Sequence, residues 1–157
     1  MTRTASQRGR TNRARGAAFE RATAAELLRL TGIGFTRNLE QTRTAGEDDL
    51  IPDDDAWPFV IECKSSTTLK LTEWRRQAVD AAKSSRKLPC VIYRQLHCAT
   101  RVSVPLSAIG RGIDDIRPWP ADEWAEISLE GFAFLAAEIM AWDENSAETP
   151  AKQGDSA

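Results

Sequence analysis

The chain has 157 residues, the length of one domain with a modest core, and 41% of its residues are hydrophobic. No apolar stretch approaches the roughly 20 residues of a membrane span, and the arginine-rich N-terminus lacks the apolar segment of a secretory signal, so we expect a cytoplasmic protein without membrane contact. The net charge of −2 hides an asymmetry, because residues 1–43 carry a net +6, residues 44–112 a net +1 and residues 113–157 a net −9.

The first 16 residues contain five arginines among small and polar residues, with nothing large and apolar to bury. This composition predicts a disordered basic arm over residues 1–16. A polyanion would bind near this basic end of the chain, and Arg13 and Arg15 are candidates for contact with a phosphate backbone. The alternative is a solubilising tail.

Apolar residues recur at nearly helical spacing over residues 17–30, and Gly32 follows as a stop signal, which predicts a helix. Glu20 lies in its first turn, where the helix dipole favours an anion. A first strand is predicted over residues 33–40. The loop after it contains Arg43, which is a candidate for phosphate contact, with a solvated surface arginine as the alternative.

Two short apolar runs separated by acidic turn formers predict a β-hairpin. If its centre falls between residues 55 and 56, the register places Asp49 opposite Glu62, within cross-strand distance. Asp48 would take that place only if the register slipped by one residue, and Asp53 falls in the turn. We therefore favour Asp49 among these three acidic residues.

The second strand of this hairpin carries charged residues at its end. Glu62 and Lys64 point to one face of the strand and Cys63 to the other, because successive side chains alternate. Burying this pair is costly unless something compensates, and Mg²⁺ held by the carboxylates of Asp49 and Glu62 would do so. The backbone carbonyl of Cys63 is a further candidate ligand, and we expect Mn²⁺ to substitute for Mg²⁺.

A second helix is predicted over residues 73–87, with Thr72 as its N-cap and Pro89 beyond its end. Its apolar stripe comprises Trp74, Ala78, Ala81 and Ala82. Arg75 and Arg76 on its basic face are candidates for DNA contact, and an ordinary solvated face is the alternative.

Two further strands are predicted over residues 90–93 and 100–104 as an antiparallel pair, and Arg94 in their connection is another candidate for DNA contact. The three cysteines at 63, 90 and 98 are interpreted as small buried hydrophobes. His97 is expected at a loop tip, since the absence of a Cys-x-x-Cys spacing argues against zinc.

Glycine and proline predict irregular structure over residues 105–120. Helical periodicity then returns over residues 129–142, and we expect this helix to pack on the sheet or on a partner subunit. Residues 143–157 are polar and acidic, which predicts a disordered tail and leaves residues 17–142 as the folded domain.

The order of these features resembles the PD-(D/E)XK nucleases. Asp49, followed after a hairpin by Glu62-Cys63-Lys64, is similar to their Asp…Glu-x-Lys signature. The arginine-rich start, a helix with Glu20, a helix with Trp74 and Gln77, and the run 91–94 resemble more narrowly the small phage and archaeal Holliday junction resolvases. The resemblance covers roughly residues 15–104.

This resemblance implies an α/β, restriction-endonuclease-like fold with a central mixed β-sheet of about four to five strands flanked by helices. It implies a Mg²⁺-dependent DNA endonuclease that acts on branched DNA as a homodimer, with catalytic roles for Glu20 and Gln77 beside Asp49, Glu62 and Lys64. The alternatives are a nicking or restriction-type nuclease of the same fold and a non-catalytic DNA-binding or assembly protein.

Overall fold

The computed structural model describes residues 5–39, 48–110 and 123–147 of the chain. In chain order, these residues form the elements α1 (Ala5–Thr31), β1 (Phe35–Arg37), β2 (Leu50–Pro52), β3 (Phe59–Ser66), α2 (Leu71–Ala82), β4 (Leu88–Gln95), β5 (Arg101–Pro105), α3 (Leu106–Gly110), β6 (Trp124–Ser128) and α4 (Leu129–Ala147).

The six strands form one sheet in which their spatial order follows the chain, from β1 to β6. Only β3 and β4 are parallel, and α2 provides the crossover between them, whereas the other neighbours are antiparallel. The predicted α/β class with a mixed, helix-flanked sheet is confirmed. The predicted number of strands was too low, because β6 was missed.

The main core lies between the sheet and the helices α1 and α4. Its centre is aromatic. The ring centre of Phe132 in α4 is 4.8 Å from that of Phe59 and 5.8 Å from that of Trp57, and the ring centres of Trp57 and Phe35 are 4.9 Å apart. Such edge and tilted arrangements are the favoured geometries of aromatic pairs. A smaller core on the opposite face joins α2 to β4 and β6 through Trp74 and its neighbours.

Helix α1 is longer than predicted, because it begins at Ala5 instead of residue 17. Residues 5–16 are therefore helical, and the prediction of a disordered arm over residues 1–16 is wrong for this part. Alanine, arginine and glutamine favour helices even where no apolar stripe is present, so the helix extends toward the N-terminus. It ends as predicted, with Gly32 at a φ of 75°.

The second helix differs from its prediction at both ends. It begins at Leu71 with Lys70 in the N-cap position and no side-chain cap, so Thr72 is a helical residue. It ends at Ala82, before the predicted residue 87. Its buried residues are those of the predicted apolar stripe, namely Trp74, Ala78, Ala81 and Ala82.

The C-terminal part also departs from the predictions. The segment 105–120 contains the short helix α3, and its residues 111–120 lie outside the described part of the chain. The predicted helix over 129–142 is present as α4 and continues to Ala147, so the start of the predicted disordered tail is helical. No helix within the described residues is long and apolar enough to cross a membrane.

Candidate functional site

The β2–β3 hairpin brings two carboxylates to one point of the sheet. Leu50 pairs with Ile61, which is the predicted register and directs Asp49 toward Glu62. The Asp49 amide donates a hydrogen bond to the Ile61 carbonyl over 2.8 Å. The Cys63 amide in turn donates to the Asp49 carboxylate, at 2.5 Å from Oδ2. Both acidic residues are buried, with 7% of Asp49 and 9% of Glu62 exposed.

Lys64 lies beside Glu62 on β3, and its Nζ is 2.5 Å from the Glu62 Oε1. The intervening Cys63 points to the opposite face and joins the main core. Burial raises the pKa of the Cys63 thiol well above its ordinary value, so this thiol is neutral. Of the groups of Cys63, only the backbone carbonyl is therefore a candidate metal ligand, as predicted from the sequence.

A third candidate carboxylate, that of Glu20, lies on α1. Glu20 accepts a hydrogen bond from Arg37 of β1, over 2.5 Å between Arg37 Nε and Glu20 Oε2. Its negative charge contributes to raising the pKa of Asp49, so the two carboxylates interact electrostatically. The grouping of Glu20 with Asp49 and Glu62 stays a prediction, and the contact that the structure gives for the Glu20 carboxylate is its hydrogen bond with Arg37.

The electrostatics of the site favour a bound cation. Burial raises the pKa of Asp49 to about 7, and the charge of Glu62 adds to this effect, whereas the Cys63 amide and Lys64 act in the opposite direction. Two ionised carboxylates, those of Asp49 and Glu62, are therefore unfavourable together at this buried position. A divalent cation beside the two carboxylates would offset their negative charge.

The donor set distinguishes between kinds of metal. Within the described residues, no three His, Cys, Asp or Glu side chains come close enough together to hold a metal ion. This argues against a closed tetrahedral zinc site, which needs three or four protein ligands. Two buried carboxylates fit Mg²⁺, which is commonly held by one or two carboxylates together with water and substrate phosphate oxygens.

The other two acidic candidates, Asp48 and Asp53, differ in their exposure. Asp53 is exposed in the turn after β2, as predicted, and its amide bonds the Gly34 carbonyl over 2.9 Å. Asp48 is half-buried. The hydrogen bond from the Cys63 amide and the position opposite Glu62 favour Asp49 over the exposed Asp53.

Two candidate residues on α2 have different surroundings. Gln77 is exposed on α2, and its proposed approach to Lys64 stays a prediction. Arg75 is directed inward, because its guanidinium bonds Glu126 over 2.7 Å and Ser103 over 3.0 Å and lies over the Trp124 ring. This side chain joins α2 to β5 and β6, so the structure contradicts its prediction as an open DNA-contacting arginine.

The remaining arginine candidates lie on the surface or outside the described residues. Arg76 and Arg13 are exposed, Arg15 is half-buried on α1, and Arg43 lies outside the described part of the chain. Arg94 is exposed at the end of β4, with its guanidinium 5.0 Å from the centre of the Phe19 ring.

The histidine and cysteine predictions are partly correct. His97 is exposed in the tight turn after β4 with a φ of 64°, which agrees with a loop-tip position. Cys63 and Cys90 are buried as predicted, whereas Cys98 is exposed, because it follows His97 in the same turn.

Sequence reasoning missed two features around the site. Arg37 was not proposed, since its partnership with Glu20 depends on how α1 docks on β1, and no local pattern signals it. The network of Arg75, Tyr93 and Glu126 was also missed, because it requires the undetected strand β6. Burial raises the pKa of Tyr93 to about 12, and the hydrogen bond that Tyr93 donates to Glu126 adds to this shift.

Comparisons with known proteins add two findings. The family model described as "Phage putative PDDEXK endonuclease" matches residues 11–148. The 1.6 Å structure of Hjc, a Holliday junction resolvase from the archaeal hyperthermophile Archaeoglobus fulgidus, is similar over 78% of this chain and 98% of that chain, with 17% identity and a TM-score of 0.49. A search of curated proteins gave no match.

Proposed function

The chain belongs to the family of phage PDDEXK endonucleases, and on this premise we propose that it hydrolyses DNA phosphodiesters with the help of Mg²⁺, which Mn²⁺ can replace. The observation that carries the proposal is the buried pair of Asp49 and Glu62 with Lys64 beside it. Phosphodiester hydrolysis needs charge neutralisation at the phosphate and an oriented water, and these groups can supply both.

Asp49 and Glu62 would hold the metal ion, with the Cys63 carbonyl as an additional ligand and Glu20 available from α1. When bound, the ion supplies positive charge beside the phosphate and lowers the pKa of a coordinated water. The hydrogen bond from the Cys63 amide fixes the Asp49 carboxylate in place before any ion arrives. Arg37 fixes Glu20 in the same way.

Lys64 would orient the attacking water and bind a phosphate oxygen. About a quarter of its side chain is exposed, so the ammonium group can reach a bound substrate. Its ion pair with Glu62 holds it at the site in the free protein. Gln77, which is exposed on α2, would contribute a polar contact to the bound substrate.

The substrate we propose is branched DNA, cut by a homodimer in the cytoplasm. One site cuts one strand, so symmetric cutting of a junction requires two sites related by a two-fold axis. Helix α4 supports this proposal, because Phe134 and Trp142 on its surface are 68% and 66% exposed. Exposed aromatic residues of this size are more frequent in interfaces than on free surfaces.

The proposal is tested with labelled DNA and three single-site variants. Wild type is incubated with a four-way junction, a flap and a linear duplex, with Mg²⁺ or with EDTA. We expect symmetric nicks in the junction with Mg²⁺ only. Glu62→Gln and Lys64→Ala should lower the cleavage rate by at least about 100-fold while DNA binding persists, since each removes a group acting on the phosphate or water.

The matched control is Arg21→Ala, which removes one exposed charge on the side of α1 away from the sheet. This variant should cut at the wild-type rate. Cutting of the linear duplex in preference to the junction would favour a restriction-type or nicking enzyme. Absence of cutting of all three DNAs with Mg²⁺ and Mn²⁺ would refute the enzyme and favour a DNA-binding or assembly protein.

A further inference from the structure

An arginine stacked on an aromatic ring lies at the end of the sheet that carries the candidate site. Arg94 pairs with Ser65, the residue after Lys64, in the parallel register of β3 and β4. Its guanidinium lies 5.0 Å from the ring centre of Phe19, the residue before Glu20. Arg94 therefore meets the sequence neighbours of two proposed site residues, namely Ser65 beside Lys64 and Phe19 beside Glu20.

Arg94 differs from the other arginines near the site. Arg37 and Arg75 each bond a glutamate, so their charges are compensated within the protein. Among the described residues, the guanidinium of Arg94 has no hydrogen bond or ion pair, and it lies over the ring of Phe19. Stacking uses the face of the guanidinium and leaves the N–H groups along its edge available to a ligand.

Arg94 and Lys64 lie on opposite faces of the sheet, near the C-terminal ends of β4 and β3. Val60 packs with α2, and alternation along β3 puts Glu62 and Lys64 on that same face. Arg94 contacts α1 and lies on the other face. A DNA strand passing across the end of β3 and β4 would therefore meet Lys64 on one side and Arg94 on the other.

We propose that Arg94 binds the phosphate adjacent to the one that is cut, and that Phe19 is a positioning residue holding the guanidinium for this contact. The inference rests on the proposed function. The carboxylates of Asp49 and Glu62 repel a polyanion, and an arginine with available N–H groups offsets this repulsion. The planar guanidinium fits two phosphate oxygens at once, which an ammonium group cannot do.

The test measures DNA binding in EDTA, where cleavage does not interfere, as a function of salt concentration. We expect Arg94→Ala to bind a four-way junction about tenfold more weakly than wild type, as for loss of one charge-assisted contact. The negative slope of log K against the logarithm of the salt concentration should decrease in magnitude by about 0.9, the value for one phosphate contact. Arg21→Ala removes an equal charge about 200° around α1 from Phe19 and should change binding less than twofold.

Two further variants separate position from charge. Arg94→Lys keeps the charge and loses the planar guanidinium. Its salt dependence should therefore equal that of wild type, whereas its affinity should lie between those of Arg94→Ala and wild type. Phe19→Leu keeps an apolar side chain in the core and removes the ring, and it should weaken binding about threefold with an unchanged salt dependence. A melting curve for each variant confirms that it is folded at the assay temperature.

The outcomes distinguish this inference from the function on which it rests. Wild-type binding and cutting together with equal losses for Arg94→Ala and Arg21→Ala would overturn the role of Arg94 alone. Full affinity in Phe19→Leu would overturn the role of Phe19. Failure of the wild type to bind or cut any DNA would overturn the proposed function and this inference with it.

Discussion

Removing the charge of Asp49 is expected to stabilise the protein in the absence of metal. Burial and the neighbouring Glu62 raise the pKa of Asp49 from 3.8 to about 7, so its ionised form is disfavoured in the folded state. Asp49→Asn removes this charge and keeps a side-chain oxygen that can accept the hydrogen bond from the Cys63 amide. The variant should therefore be more stable wherever Asp49 would be ionised.

The pKa change sets the size and the pH range of the effect. Below about pH 4, Asp49 is protonated in the folded and in the unfolded chain and makes no difference. Between about pH 4 and pH 7, the folded state holds more protons than the unfolded state, so wild-type stability falls as the pH rises. Above pH 7, the loss reaches at most about 4 kcal/mol, since one pKa unit corresponds to about 1.4 kcal/mol.

Thermal unfolding in EDTA at several pH values measures this effect. For a chain of this length, 4 kcal/mol corresponds to an increase in Tm of about 10 °C for Asp49→Asn at pH 8. The increase should shrink steadily toward pH 4. Added Mg²⁺ should raise the Tm of wild type at pH 8, because the ion binds only the folded state, and should have little effect on the variant.

The reasoning has a clear point of failure. If Asp49→Asn has the same Tm as wild type at pH 8, or a lower one, the carboxylate is not held ionised in a desolvated, anionic environment. A gain in Tm that is equal at pH 4 and pH 8 would also refute it, because a pH-independent effect does not arise from ionisation.

Three other changes test the fold around the site. Glu126→Ala should lower the free energy of unfolding by about 3 kcal/mol in urea denaturation, because it leaves Arg75 partly buried without its carboxylate, and an unchanged midpoint would contradict this role. Phe132→Ala should cost about 3 to 5 kcal/mol in the same assay, since this ring is fully buried against Trp57 and Phe59, and a loss under 1 kcal/mol would show a looser core. Gly16→Ala should raise helix content by circular dichroism and add up to about 1 kcal/mol, because a methyl group at this helical position meets no atom within 4 Å; a decrease would show that α1 bends there.

The hairpin of the site could be predicted from the sequence because its signals are local. Apolar runs on both sides of an acidic turn fixed the register, and the register directed Asp49 toward Glu62. The stripe of α2 was equally clear, since helical spacing alone identified Trp74 and the three alanines as buried.

Features that depend on distant partners could not be predicted in this way. Strand β6 contains Glu126, which is tolerated there because Arg75 from α2 and Tyr93 from β4 bond its carboxylate. Neither partner is near it in the sequence. Arg75 was for the same reason interpreted as a surface residue, since nothing in its own helix indicates that a carboxylate lies opposite.

The order of the strands in the sheet has a consequence for how the protein folds. Each strand pairs with its neighbours in the chain, but only the β2–β3 and β4–β5 connections are short, with 6 and 5 residues, whereas those of β1–β2, β3–β4 and β5–β6 have 12, 21 and 18 residues. Closing a short loop costs less conformational entropy than closing a long one, so the two short hairpins are expected to form before the other strand pairs. We expect the acidic pair to form with the β2–β3 hairpin during this early stage, so the nascent protein has to tolerate the repulsion between these carboxylates from the moment the hairpin closes.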